Sequence, residues 1–275
     1  MTFVKVFTGI ILSFLLFTGC SKFSKVQKSK DFEYQLKMAD QYYAQKKYHN
    51  AQVLYEQLFA AYKGTDKFED LYYKYAYTFY YQDLYRDAEN LFKGYLEVFP
   101  NSSRAEEIDY MRAYSFYKQS PRLELEQVNT VKAMNMMQTF INTHPGSPRI
   151  KDASDIIDKS RQKLEMKEYR SAKLFYDLGH FRAAAISFTN LLNNYPDARI
   201  ADEYELMVIK SYYKFAKLSI NTKQVERYES VIDSFEDFAD RFPDSPLLAE
   251  ATSYSELSKN HIKEIQNEQA SSTVK

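Results

Sequence analysis

The sequence predicts an all-α chain built from repeated helical hairpins, and three observations predict it. Glycine (6) and proline (7) are scarce in 275 residues, so few positions suit the tight turns of hairpin-rich β architecture. Apolar residues recur at three- and four-residue spacing from Asp31 to about Gln266. A short phrase also returns four times: "FPNSS" at Phe99, "HPGSP" at His144, "YPDAR" at Tyr195 and "FPDSP" at Phe242. Each copy follows one amphipathic stretch and precedes another. Proline stops the helix, Asn, Gly or Asp turns the chain, and Ser or Ala stands near the next helix start.

In chain order, residues 1–19 read as a signal peptide. Met1 to Lys5 is a short charged lead, and Val6 to Phe17 is an apolar run of twelve. That run is shorter than the roughly 20 residues of a membrane span. Cys20 is the single cysteine, so no internal disulfide is possible. "FTGC", Phe17 to Cys20, resembles the bacterial lipoprotein processing box, with Phe17 where the box has Leu. The resemblance implies a covalent lipid on Cys20, an anchor in outer-membrane lipid and a chain facing the periplasm. No other cofactor is expected. Residues 20–30, rich in lysine, read as a lipidated flexible tether.

The hairpins follow. A small residue with an aromatic three positions on lets two helices approach. A second small residue, with an aromatic four positions on, completes the pair. The set is Ala39, Tyr42, Ala51 and Tyr55, then Ala76, Phe79, Ala88 and Phe92. The third copy has Ala113 and Phe116, an insertion around "KQSPRLELEQ", then Ala133 and Met137. The fourth has Ala172, Phe175, Ala184 and Phe188; the fifth is degenerate, with Val231 before Phe235. This spacing resembles the tetratricopeptide repeat. The prolines are 45, 51 and 47 residues apart, wider than its 34-residue period, so the repeats carry insertions. The resemblance implies a right-handed superhelix of about five hairpins. Repeats one to three would occupy 31–146. A bridging helix over Ser147 to Gly179, whole or slightly broken, would open a second group over 147–266. Residues 267–275 read as a disordered tail.

"DLYYKYAYTFYYQDLY", Asp70 to Tyr85, carries seven tyrosines. The helical register divides them. Tyr72 and Tyr75 fall on the packing face with Ala76 and Phe79, whereas Tyr73, Tyr77 and Tyr80 form a separate stripe. Tyr110, Tyr114 and Tyr117 repeat that stripe in the third hairpin, and Tyr43 marks it in the first. We expect these seven residues to line a concave groove open to a peptide. The competing reading is that the rings pack on neighbouring helices.

Little suggests chemistry. Lys+Arg and Asp+Glu are both 37, so no basic field is present to hold nucleic acid. His49, His144, His180 and His261 lie far apart, without metal-ligand spacing. No P-loop, GxGxxG or GxSxG is present. No catalytic or metal residue is assigned, and the chain is not read as an enzyme.

The signal peptide, lipidated cysteine, five hairpins and bridging helix together resemble the BamD family, lipoproteins of the outer-membrane β-barrel assembly machinery. The most telling stretch is "KLEMKEYRSAKLFYDLGHFRAAAISFTNLLNNYP", Lys163 to Pro196. The resemblance implies a noncatalytic scaffold whose C-terminal repeats dock a BamA-like barrel-forming subunit beside other assembly lipoproteins. Its N-terminal groove would receive C-terminal signals of unfolded outer-membrane proteins. Family contacts fall near the turn "NNYPDARIADEY", where Arg199 is the only basic residue and hence the candidate docking position. The alternatives are another periplasmic tetratricopeptide lipoprotein of envelope or cell-wall machinery, or a glycan- or nutrient-binding lipoprotein.

Overall fold

The computed structural model describes residues 22–273. The expected signal peptide and Cys20 lie outside the described residues, as do the last two positions of the expected tail. Helices and turns make up the described residues, with no strand among them.

The first hairpin pairs α1 (Phe32–Ala44) with α2 (Tyr48–Tyr62). The second pairs α3 (Phe68–Tyr80) with α4 (Tyr85–Val98), and the third α5 (Ala105–Lys118) with α6 (Val128–Thr143). Then come the long α7 (Ile150–Asp177), α8 (Phe181–Asn194), α9 (Ala201–Lys217), α10 (Asn221–Arg241) and α11 (Leu248–Thr273). Each hairpin closes over small residues. Ala39, Ala51, Ala76, Ala88, Ala113, Ala133, Ala172 and Ala184 are all at most 1% exposed. With only a methyl group there, helix axes approach closely while the flanking rings fill the remaining space.

The turns are as regular as the helices. Between α1 and α2, α3 and α4, and α7 and α8, one residue takes the left-handed conformation: Lys46 (φ 59°), Asp83 (φ 60°) and Gly179 (φ 78°). His180 therefore matches Lys47, and His49 falls two positions later. The Pro-containing phrases end helices identically. The amides of Phe99, His144, Tyr195 and Phe242 donate to the carbonyls of Tyr95, Phe140, Leu191 and Phe238.

The serine of the phrase has a specific task. Ser102 Oγ donates to Glu69 at 2.6 Å, Ser147 Oγ to Glu106 at 2.5 Å and Ser245 Oγ to Asp202 at 2.7 Å. Each hydroxyl also accepts the backbone amide two residues on, from Arg104, Arg149 and Leu247. One side chain thus braces its own turn and ties it to the start of the preceding A helix. The third copy has Ala198 instead. There Glu165, at the matching acidic position, accepts from Tyr204 Oη at 2.7 Å.

Three expected boundaries differ. Residues 22–27 are helical rather than a flexible tether. Phe23 packs edge-on to Tyr42 at 5.7 Å, and Val26 is 3% exposed in the core. Buried Gln35 donates to the carbonyls of Val26 and Gln27 at 3.2 and 3.0 Å, supplying partners that a free segment would find in water. The lysines dominate the composition, but the Phe23–Val26 pair at helical spacing decides the docking. At the other end α11 continues to Thr273 instead of giving way to a disordered tail. Extending an existing helix avoids the cost of nucleation.

The chain also divides later than expected, between Ser160 and Arg161 inside α7 rather than at 146/147. The first turns of α7 belong to the first unit, because Ala153 (0%) and Ile156 (5%) pack into its core. From Leu164 onward α7 contributes to a second core with Ala172, Ala184, Phe188 and Tyr204. Leu206, Ile209, Val231, Phe238 and Ala251 build a third core in the same unit. No helix among the described residues is long and apolar enough to cross a membrane.

Candidate functional site

The A helices of the first unit carry a ladder of charges. The residue just before α3, α5 and α7 is basic, and it reaches the acid in the first turn of the A helix before. Lys67 Nζ pairs with Glu33 at 2.6 Å and Arg104 with Asp70 at 2.9 Å. Arg149, beyond the third-hairpin insertion, meets Glu107 at 4.0 Å. Lys74 adds a rung, binding Asp40 at 2.8 Å and Asp70 at 2.6 Å. Burial opposes ionisation of Asp70, yet the hydrogen bonds from Lys74 and Arg104 outweigh it and hold its carboxyl below the ordinary range. The same arginines cover rings of the expected groove: Arg104 lies 4.3 Å from the centre of Tyr73 and Arg149 4.9 Å from that of Tyr110.

This ladder corrects part of the expected groove. Tyr77 is only 4% exposed; its hydroxyl donates to Glu107 at 2.6 Å and its ring meets Phe92 edge-on at 5.3 Å. Tyr110 is 6% exposed, between Arg149 and Phe140. These two are packing residues, because each hydroxyphenyl group lies within reach of the next repeat. Tyr73 is half-buried and donates to the same Glu107 oxygen at 3.1 Å. Burial, followed by the Glu107 bond, pushes the Tyr77 phenol well above its usual range. It stays a neutral donor at any physiological pH.

Tyr43, Tyr80, Tyr114 and Tyr117 remain half-buried and form a continuous seam. Tyr80 lies 6.3 Å from Tyr114, and Tyr114 lies 5.8 Å from Tyr117. Sequence reasoning missed the hinge of this seam. Tyr81, 45% exposed, stacks on Tyr48 at 4.6 Å and contacts Tyr43 (6.3 Å), Tyr77 (5.6 Å) and Tyr80 (5.6 Å). It caps the helix four residues after Tyr77, so the clue was that i, i+4 spacing, which extends the Tyr73–Tyr77 stripe to the helix end. Burial pushes the Tyr80 phenol up to about 12. The seam therefore presents neutral rings with hydroxyl donors, a surface suited to an extended peptide backbone and apolar side chains. Beside it a cavity of about 630 Å³ opens between α1 and α3, lined by Glu33, Leu36, Lys37, Asp40, Asp66 and Asp70.

The second unit builds the matching surface differently. Its residue before α9 is Ile200, and the position of Asp70 and Glu107 is held by Met166. Tyr195 and Tyr204 instead donate to Glu168 (3.2 Å) and Glu165 (2.7 Å). Arg199 is exposed in the α8–α9 turn, and its guanidinium makes no ion pair with the described residues. Nearby Glu205 is 8% exposed; burial raises its pKa to about 7 against the pull of Arg241, 3.8 Å away. No cluster of His, Cys, Asp or Glu suited to a metal occurs among the described residues.

Comparisons with known proteins agree with the sequence resemblance. Among solved structures, the TPR2AB-domain:pHSP90 complex of yeast Sti1 is 10% identical, with 85% of this chain and 84% of that one covered and a TM-score of 0.40. The human IFIT1 dimer with PPP-AAAA is 14% identical, covers 86% of this chain and 59% of that one, and has a TM-score of 0.27. At such scores neither carries an argument. No curated protein matches the sequence. The family model described as "YfiO: Outer membrane lipoprotein" matches residues 33–225, spanning the first four hairpins, α9 and the start of α10. The chain belongs to this family of BamD-like outer membrane lipoproteins.

Proposed function

We propose that the protein is a noncatalytic scaffold, held to the outer membrane by a lipid on Cys20 and facing the periplasm. It docks a BamA-like barrel-forming subunit, beside other assembly lipoproteins, and receives the C-terminal segments of unfolded outer-membrane proteins. The observation that carries this reading is the family match through both units. The half-exposed tyrosine seam of the first unit supports the peptide-receiving part. Arg199, exposed and unpaired in the second unit, supports the docking part.

Affinity purification from detergent-solubilised envelopes tests the scaffold role. A barrel-forming outer-membrane protein should be recovered; its absence would sink the proposal and favour other envelope machinery. Tyr81→Ala with Tyr114→Ala tests the peptide role. These rings are more open than Tyr77, so binding of a peptide ending in an aromatic residue should fall about tenfold while helicity stays intact. Binding of oligosaccharides instead would point to the glycan reading. Radiolabelled palmitate incorporated into the wild type but not into Cys20→Ala tests the anchor.

A further inference from the structure

The docked N-terminal turn carries a feature that the scaffold reading does not use. Residues 21–30 hold Lys22, Lys25, Lys28 and Lys30 and no acidic residue. All four lysines are exposed and make no ion pair with the described residues. Elsewhere Lys67, Lys74, Lys210 and Lys223 each reach a carboxylate within 2.8 Å. The four unpaired ammonium groups are not on a loose strand. Phe23 on Tyr42, Val26 in the core and the two Gln35 hydrogen bonds fix their backbone against the first hairpin. Lys22 stands two residues after Cys20 in a chain that belongs to a lipoprotein family.

We propose that this turn is an electrostatic foot: its four lysines bind the headgroups of an anionic lipid surface and so orient the first hairpin against the membrane. The proposal rests on the lipid at Cys20, which brings the turn to the bilayer. Charge complementarity selects the partner. A cluster of cations without ion-pair partners suits phosphate-bearing headgroups, and its attraction is confined to about a Debye length, which only an anchored segment satisfies constantly. Docking of the turn lowers the ordering cost of the contact. A free tether would keep the lysines near lipid but could not transmit an orientation to the hairpin.

The test uses the full processed protein, purified from membranes and reconstituted into two sets of vesicles, one zwitterionic and one containing phosphatidylglycerol. A water-soluble amine-reactive reagent labels the lysines, and mass spectrometry reads each site. In anionic vesicles at low salt, labelling of Lys22, Lys25, Lys28 and Lys30 should slow about five-fold relative to exposed Lys37 and Lys46. That factor corresponds to about 1 kcal/mol per lysine at a charged surface. Half-molar salt or zwitterionic lipid should abolish the protection. Equal labelling in both vesicle types, or protection insensitive to salt, overturns the proposal. The Cys20 peptide from the same digest shows whether lipid is attached, so loss of the anchor is distinguished from failure of the foot. Lys22→Gln with Lys25→Gln should also raise the labelling of Lys28 and Lys30 in anionic vesicles, since a shared attraction would weaken. Unchanged labelling of Lys28 and Lys30 overturns the shared foot.

Discussion

The two units use the same hairpin but join successive hairpins by different means. In the first, a basic residue before α3, α5 and α7 pairs back to an acid one repeat earlier, and arginines cover the rings between. In the second, Ile200 and Met166 hold those positions; tyrosine hydroxyls reach Glu165 and Glu168, and the ion pairs come from elsewhere, Arg161 with Asp197 at 2.5 Å and Lys210 with Glu250 at 2.6 Å. The difference teaches that packing within a hairpin and joining between hairpins are separable. Small residues with large side chains at fixed offsets close the first four hairpins, while the joints differ from one pair to the next. The ionic joint also leaves the polar, tyrosine-lined face on which the peptide reading depends.

The largest expected effects test the shared part. Phe92 and Phe188 are equivalent B-helix rings, both 0% exposed. Phe92→Ala should destabilise the first unit and Phe188→Ala the second, each by about 3–5 kcal/mol. Urea unfolding followed by hydrogen exchange would locate each loss. Spreading of either loss evenly through both units would break the division at Ser160 and Arg161.

The next effect belongs to the second unit alone. Glu205 has a folded-state pKa of about 7, raised by burial above the ordinary glutamate value of 4.5. Between those values the folded state binds more protons than the unfolded state. Stability therefore falls as pH rises from about 4.5 through 7. Glu205→Gln should remove about 2 kcal/mol of that fall, read as the difference in unfolding free energy between pH 5 and pH 8. Variant and wild type with identical slopes would show that Arg241 keeps the carboxylate charged. The ladder of the first unit gives a smaller, salt-dependent effect. Arg104→Ala should cost about 1.5 kcal/mol at low salt, from a half-exposed ion pair and a covered ring. Half-molar salt should remove roughly half of it.

The intrahairpin rules were legible because they are local. Ala76 and Phe79, or Ala184 and Phe188, reveal themselves by spacing within one helix. The joints were not, because Arg104–Asp70 and Tyr73–Glu107 each span 34 residues, and nothing in either helix alone names its partner. For the same reason the stripe of Tyr73, Tyr77 and Tyr80 was separable from the packing face, but its burial was not. Glu107 comes from the next repeat and turns Tyr77 from a groove residue into a joint. The docked turn at Val26 was hidden by composition, since four lysines obscured two apolar side chains that face the first hairpin.

The turn serines give the smallest effects and the sharpest comparison. Glu69 accepts from Ser102 first and Tyr95 second, and these bonds hold its pKa below the ordinary value. A carboxylate depressed in this way contributes stability above its unfolded pKa and loses it as pH falls through the folded one. Ser102→Ala should therefore cost about 1 kcal/mol at pH 7, and less once pH has fallen through the lowered folded-state pKa of Glu69. The reverse change, Ala198→Ser, supplies the missing hydroxyl in the third copy. Its acid, Glu165, already accepts from Tyr204, so the gain should stay within about 0.5 kcal/mol. In Tyr204→Phe, where that carboxylate is released, Ala198→Ser should recover about 1 kcal/mol. Urea midpoints of the wild type and the three variants close the cycle. A full gain from Ala198→Ser in the wild type would mean that the two joints add rather than substitute. The Tyr204–Glu165 joint would then be a different device, not a replacement for the serine latch.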